Sequence, residues 1–491
     1  MITDVRWGTP AARGVIATTI LGSGMAMLDG TIVNVALPRI GDELDASVAG
    51  LQWILDGYLL ALASLILVAG ALGDRFGRRR VFLVGVVWFG AASVLCGLAQ
   101  STEMLVAARV LQGVGGALLT PGSLAILQSV FHREDRARAI GAWSGLGGIA
   151  AAAGPLVGGL LVQAWSWRLA FLINVPVAVY CVWMALRFVP ETRDEESAGP
   201  IDLVGSALGA LGLAGVTAAL VEAPVRGLDW LVLSAGITGF VALAAFVQRQ
   251  RRGHDPLVPP ALFADRTFVI ANGLTLAVYA ALGGVFMLMG LQLQISLGYS
   301  PVAAGVAGVP ITIVMLLLSA RFGALASKYG PRWFLVSGPM LVAAATLLLM
   351  RVEPGASYLG AVLPAVTLFG FGLAVVVAPV TATVLAAAPD RYAGVASGVN
   401  NAIARTGGLL AVAVLPAAAG LTGAAYADPV ALTAGWRTAL LICAGLTVVG
   451  GLLALGVRGN VLAVEEHAPE CPHPGECMSC SVDAPPTHIK P

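Results

Sequence analysis

The sequence predicts an all-α membrane protein made of two six-helix bundles that repeat one another, with two further transmembrane helices between them. Three observations carry this. The 491 residues are 58% hydrophobic and only 11% charged, with a mean hydropathy of +0.87, whereas a soluble domain carries roughly 25% charged residues. Apolar runs of membrane-spanning length recur along almost the whole chain. Four short segments of the first part return, in the same order, in the second.

A span needs about 20 mainly apolar residues, and fourteen runs qualify: 14–37, 49–70, 81–99, 104–127, 138–163, 168–188, 203–221, 230–247, 267–293, 302–320, 333–350, 357–380, 394–418 and 436–457. They are too long and too uniformly apolar for a transmembrane barrel, whose strands alternate over about 10 residues. The first run has no small-residue cleavage site behind a charged start, so it reads as a retained helix.

Charge placement tests the count. With the N-terminus inside, the inner segments hold 21 of the 28 Lys and Arg and the outer loops hold five, Arg39, Arg168, Arg226, Arg351 and Arg437; Arg109 and Arg405 remain inside spans. This follows the positive-inside rule with both termini cytoplasmic. The net charge of +1 and the lack of a basic patch give no sign of a nucleic-acid partner.

The repeats divide the chain. GALGDRFGRR at 70–79 returns as GALASKYGPR at 323–332, and QGVGGALLTP at 112–121 returns loosely as FGFGLAVVVAP at 369–379. Asp135-Arg136 returns as Asp390-Arg391, and WRLAFLI at 167–173 as WRTALLI at 436–442. Each match falls at the corresponding place in a six-span half, the parallel repeat of one transporter class. The expected domains are a first bundle over 1–188, a linker with two extra spans over 189–266, a second bundle over 267–458 and a polar, Pro-rich tail over 459–491.

GALGDRFGRRR resembles the loop signature of the major facilitator superfamily. LDGTIVNVALP, RVLQGVGGALLTPG and AAAAGPLVGGLL resemble the first-, fourth- and fifth-span motifs of its drug:proton antiporters, and two central extra spans place the chain nearest the fourteen-span branch. The resemblance covers about 14–458. It implies an exporter of small amphipathic or cationic drugs of the multidrug-efflux type, driven by the proton gradient.

Asp29 lies in the middle of the first span, where a carboxylate costs about 2.5–3.5 kcal/mol on insertion scales. It is either held by neighbouring hydroxyls such as Thr31, or a proton or substrate-cation site in a water-filled cavity. Asp56, in WILDGY of the second span, falls at a similar depth, roughly 10–13 Å below the outer surface at 1.5 Å per residue. It reads either as an interfacial acid or as a second cavity carboxylate that competes with Asp29 for one proton and one cationic substrate. Arg109 in the fourth span must be paired or must snorkel to the interface. Gln112 lies one turn on and can share its network. The resemblance assigns Arg109 to bonding with first-span groups and tuning proton release.

Between spans two and three, Gly70, Gly73 and Gly77 permit a tight turn and close helix contact. Asp74 can sit at the start of a neighbouring helix, and Arg75, Arg78 and Arg79 can pair with acids or lipid phosphates; Arg80 reads as an anchor. In the resembling family this segment latches the two halves. The second copy has Ser327 for the Asp and Lys328 for the first Arg, so a weaker second latch is expected. Gly154, Pro155, Gly158 and Gly159 match the family's antiporter motif, with Ala150 at its earlier glycine. Their alternative reading is plain small-residue helix packing.

The second bundle shows no clear Asp or Glu inside a span, so coupling is expected in the first. Asn34, Tyr279, Phe286, Gln292, Gln294, Asn400 and Arg405 are candidate pocket or packing residues. The tail carries Cys471, His473, Cys477 and Cys480 at spacings that suit zinc or copper, but with no apolar core to order them, loose reduced thiols are the expectation and no metal is assigned. No phosphate-binding loop is present, so no nucleotide cofactor is expected. Arg outnumbers Lys 26 to 2, a usage that fits a GC-rich bacterial genome and so an inner membrane. The expected state is a monomer, and the expected partners are protons, lipid and a small-molecule cargo. Export of one dedicated metabolite, antibiotic or lipid is the nearest rival. A non-transporting sensor stands further off, and no outer loop is long enough for a catalytic domain.

Overall fold

A computed structural model of the chain describes residues 5–462 except 133–134, 194–201, 254–255, 390–391, 422 and 427. Asp390-Arg391 and the tail group Cys471, His473, Cys477 and Cys480 lie outside the described residues, as does the side chain of Ala150.

The first half runs through α1 (Pro10–Leu44), α2 (Val48–Phe76), α3 (Arg78–Gly97), α4 (Thr102–Val130), α5 (Arg136–Ala164), α6 (Arg168–Leu172) and α7 (Asn174–Phe188). Then come α8 (Leu203–Arg226) and α9 (Trp230–Arg252). The second half is α10 (Arg266–Leu291), α11 (Pro301–Ala307), α12 (Val309–Tyr329), α13 (Arg332–Leu349), α14 (Leu363–Ala386), α15 (Ala393–Ala418) and α16 (Pro429–Leu453). Among the described residues, 13 segments are long and apolar enough to cross a membrane, with α6 and α7 acting as one and α11 and α12 as another. Helix α5 fills the remaining place as a helix of 29 residues.

Local chemistry sets where these helices start. Thr9, Ser47, Ser101, Asp202, Asp229, Asp265 and Asp428 each accept a first-turn amide with their side chains, satisfying donors that a helix start leaves open. The N-terminal segment is tied down as well. Val5 pairs with Phe131, and the Trp7 amide donates to Asp135 at 2.8 Å, which gives the Asp135 of the repeated dipeptide a role of its own.

Each half has its own apolar core. One joins buried side chains of α10 to α16, such as Phe268, Phe369 and Trp436. The first half has two, one around Phe82, Phe89 and Phe131. The other, around Leu37, Ile54 and Phe171, also takes in Met287 and Val412 from the second half. Several hydrogen bonds cross between the halves at the end far from the N-terminus. Gln52 donates to Val412 O at 2.7 Å, Gln294 to Val35 O at 3.1 Å, and the Val302 amide to Gln163 at 3.4 Å. That end is closed.

Helices α8 and α9 lie at the side of the bundle. They pack on each other through Gly212, Gly215 and Gly239, where a Cβ at Gly215 would meet Ala235 O at 2.6 Å, the close approach that small residues allow in lipid. Helix α8 also touches α2 and α15, one helix from each half.

Candidate functional site

Four helices converge on Asp29. Helix α1 supplies the carboxylate, α4 supplies Arg109 and Gln112 one turn apart on one face, α3 supplies Ser93 and α7 supplies Asn174. None is more than 1% exposed. Arg109 Nη1 donates to Asp29 Oδ2 in a buried ion pair. Gln112 Nε2 donates to Asp29 Oδ1 at 2.8 Å and to Ser93 Oγ at 2.9 Å. Asn174 Nδ2 reaches the same two acceptors at 3.4 and 3.3 Å. Arg109 also donates to Gln112 Oε1 at 2.7 Å and, through Nε, to Ile54 O at 3.0 Å.

Tyr58 of α2 closes this nest. The Arg109 guanidinium lies 4.3 Å from its ring centroid, a cation–π contact, and the Tyr58 hydroxyl donates to Ala26 O at 3.3 Å. Glycines make the seat. A Cβ at Gly113 would stand 2.4 Å from Tyr58 O, and one at Gly116 would stand 3.1 Å from its hydroxyl. The QGVGG run therefore lets α2 press against α4.

The geometry shows which groups hold Asp29 and where Arg109 lies. The carboxylate is held by Arg109, Gln112 and Asn174. Thr31 donates instead to Leu28 O at 2.9 Å, and Arg109 is buried rather than snorkelling. The pairing of Asp29 with Asp56 does not form. On α2 it is Tyr58 that reaches this nest, lying on Arg109. Asp56 lies on the stripe of Gln52 and Trp53, whose side chains bond to α15 and to Glu222 of α8. Asp56 is fully buried, and neither carboxylate oxygen has a hydrogen-bond partner among the described residues.

The segment over 70–80 is bonded within the first half. Arg78 pairs with Asp74 at 2.8 Å, so in this conformation Asp74 serves its own helix junction. Arg79 and Arg80 lie 3.8 and 3.6 Å from Glu191, beyond the end of α7, which makes Arg80 more than an anchor. Arg75 lies over the Phe76 ring at 5.6 Å. Gly77 has φ +106°, and a Cβ there would stand 2.5 Å from Glu191 Oε1, so the turn excludes any side chain. Gly70 and Gly73 differ from expectation: a Cβ at Gly70 would meet only Pro121 at 3.9 Å, and one at Gly73 nothing within 4 Å. In the second copy, Gly330 repeats the positive φ, at +84°, while Ser327 donates to Gly323 O of its own helix.

The four residues of the fifth-span motif split between two neighbours. Gly154 and Gly158 face α1, where a Cβ would meet Thr31 Oγ1 at 1.9 Å and Ile32 at 3.0 Å. Gly159 faces α11, with Pro301 O at 2.6 Å, and Pro155 O sits under Gly305. The motif is thus a seam between the halves at the closed end.

The candidate pocket residues scatter. Gln292 is fully buried and bonded to Val352 O and Thr433 Oγ1, both at 3.0 Å, so it braces the second half. Phe286 stacks edge-on with Phe369 at 6.2 Å. Asn34 caps Gly30 O at 2.9 Å on its own helix, with its carbonyl against Gly290. Asn400 binds Asn272 and Thr275 at 3.1 and 2.9 Å. Arg405 and Tyr279 are half-buried, as are Asn34, Phe286 and Gln294. Sequence reasoning missed Asn174, Ser93 and Tyr58. A lone amide in the sixth apolar run was the one available signal.

Comparison with known proteins agrees with this architecture. Residues 19–412 match the family described as Major Facilitator Superfamily. The tetracenomycin C resistance and export protein of Streptomyces glaucescens is 39% identical over 410 residues, covering 82% of this chain and 76% of that one. The puromycin resistance protein of Streptomyces alboniger is 37% identical, covering 78% and 77%. The multidrug resistance protein Stp of Mycobacterium tuberculosis is 34% identical, covering 79% and 72%. The crystal structure of the POT family transporter PepTSo superposes with a TM-score of 0.65 at 14% identity, over 90% of this chain and 96% of that one, a likeness of fold.

Proposed function

The chain belongs to the Major Facilitator Superfamily, and from that premise we propose that it is a proton-coupled antiporter exporting small amphipathic molecules across a bacterial inner membrane, with both termini cytoplasmic. The observation that carries this reading is Asp29, a fully buried carboxylate whose two oxygens are held by Arg109, Gln112 and Asn174. A proton reaching Asp29 from outside cancels the charge that binds Arg109. The guanidinium keeps Gln112 and Ile54 O as acceptors, so its release costs less than leaving it unpaired would. Tyr58, lying on that guanidinium, passes the shift to α2 and so to the contact between the halves. Relatives named for antibiotic resistance and export support a cargo of that kind.

The test uses purified protein in vesicles loaded with acid and a pH dye. Adding a cargo outside should alkalinise the interior, and Asp29→Asn should abolish that response while leaving the protein folded. Cargo-driven proton efflux that persists in Asp29→Asn would overturn the assignment.

A further inference from the structure

We propose that the exported molecule carries an acidic group, a phenolate or carboxylate, that ion-pairs with Arg405. The inference rests on the export reading and narrows its cargo.

Four carboxylate or guanidinium side chains lie well inside spans at the junction of α1, α2, α4, α10 and α15 among the described residues: Asp29, Asp56, Arg109 and Arg405. Three of them are closed to a cargo. Asp29 and Arg109 saturate each other, and Asp56 is 0% exposed. A cationic cargo therefore finds no open carboxylate there.

Arg405 is the opposite case. It sits near the middle of α15, where a charge is costly without a partner or water. A guanidinium does not deprotonate. Yet Arg405 is half-buried and has no hydrogen bond or ion pair among the described residues. Its position is fixed by its neighbours. One turn on, Gly408 packs on α10, where a Cβ at Gly283 would stand 2.9 Å from Gly408 Cα, and two turns on, Val412 O receives Gln52. Arg405 acts electrostatically on Tyr58 of the first half and on Tyr279 of the second. An unfilled, planar, five-donor cation in a span suits a carboxylate or phenolate.

Tyr58 also lies on Arg109, so it stands on the proton site and within electrostatic reach of Arg405. Cargo on Arg405 and a proton on Asp29 would thus be felt across the same ring. Exchanging one inward proton for one outward anion moves two charges, so the membrane potential should drive the cycle. Exchange for a monovalent cation would be electroneutral.

The experiment offers vesicles of the full chain two dyes on one xanthene frame, anionic fluorescein and cationic rhodamine 6G, under imposed pH gradients and potassium–valinomycin potentials. Wild type should exchange fluorescein for protons, faster with the potential applied. Arg405→Gln should lower that rate by about tenfold or more, the loss of one charged hydrogen-bonded partner, with Arg405→Lys retaining part and both variants eluting as folded protein. A preference for rhodamine, uptake of neither dye, or unchanged fluorescein exchange in Arg405→Gln would each overturn the proposal. Proton-coupled rhodamine exchange would do so while leaving the antiport reading intact. Fluorescein movement that needs Arg405 but ignores Asp29→Asn would support the cargo site and sink the antiport reading.

Discussion

Arg109 shows how much one buried charge depends on its surroundings. It is 1% exposed and draws on Asp29, Gln112, Ile54 O and the face of Tyr58. Removing one member of such a set leaves the other charge stranded, which costs about 3–5 kcal/mol, whereas removing both is often near neutral. Arg109→Ala is therefore expected to lower the detergent melting temperature and to stop export. Asp29→Asn in the same chain should restore much of the stability and none of the coupling. Additive losses in the double variant would show that the two residues do not act as a pair. Asp29, Arg109 and Gln112 stand out in the sequence because polar residues are rare in such runs. Asn174 and Ser93 do not, since which hydroxyl or amide reaches a site depends on helix rotation.

Helix α5 illustrates what a small-residue motif does once its neighbours are known. Gly154 and Gly158 admit α1, and Gly159 admits α11 across the boundary of the halves. A branched side chain at Gly159 would collide with Pro301 O and Val302, backbone that cannot turn aside. Gly159→Leu should hold the far end open. The measurement is labelling of Asn34→Cys by an impermeant maleimide, with Cys471, Cys477 and Cys480 replaced by Ser. Asn34 is half-buried against Gly290, so its labelling should rise severalfold in Gly159→Leu. Unchanged labelling would mean that the seam does not close this end. The glycine spacing was legible in the sequence, whereas the division of its faces between two halves was not.

Across the whole molecule, α8, backed by α9, touches one helix of each half from the side. At the far end Trp53 donates to Glu222 of α8 at 2.9 Å. At the other end Asp202 holds the hairpin through Arg249 at 2.7 Å and Gln250 at 3.1 Å. Burial works to raise the pKa of Asp202. The Gly205 amide, Arg249 and Gln250 outweigh it and hold the carboxyl below its usual range. A group with a depressed folded pKa adds stability above its unfolded value, about 3.9 for Asp, and loses it as pH falls through the folded value. Asp202→Asn should thus lower the melting temperature at neutral pH, and the gap from wild type should narrow as pH falls below about 3.9. A gap independent of pH would assign the loss to packing instead.

Hydropathy, charge placement and repetition alone determined the number of spans, the two halves and the helices that carry the buried acids and the arginine. These are local or summed properties of the chain, set by the demand that lipid makes on every exposed backbone group. Tertiary structure alone decided which polar groups meet. It set Tyr58 rather than Asp56 on Arg109, made Gln292 a brace, gave Glu191 to Arg79 and Arg80 and left Arg405 open. A rotation of about 100° per residue separates neighbours on a helix, so adjacent letters face different partners, and only the packed bundle fixes which partner each one receives.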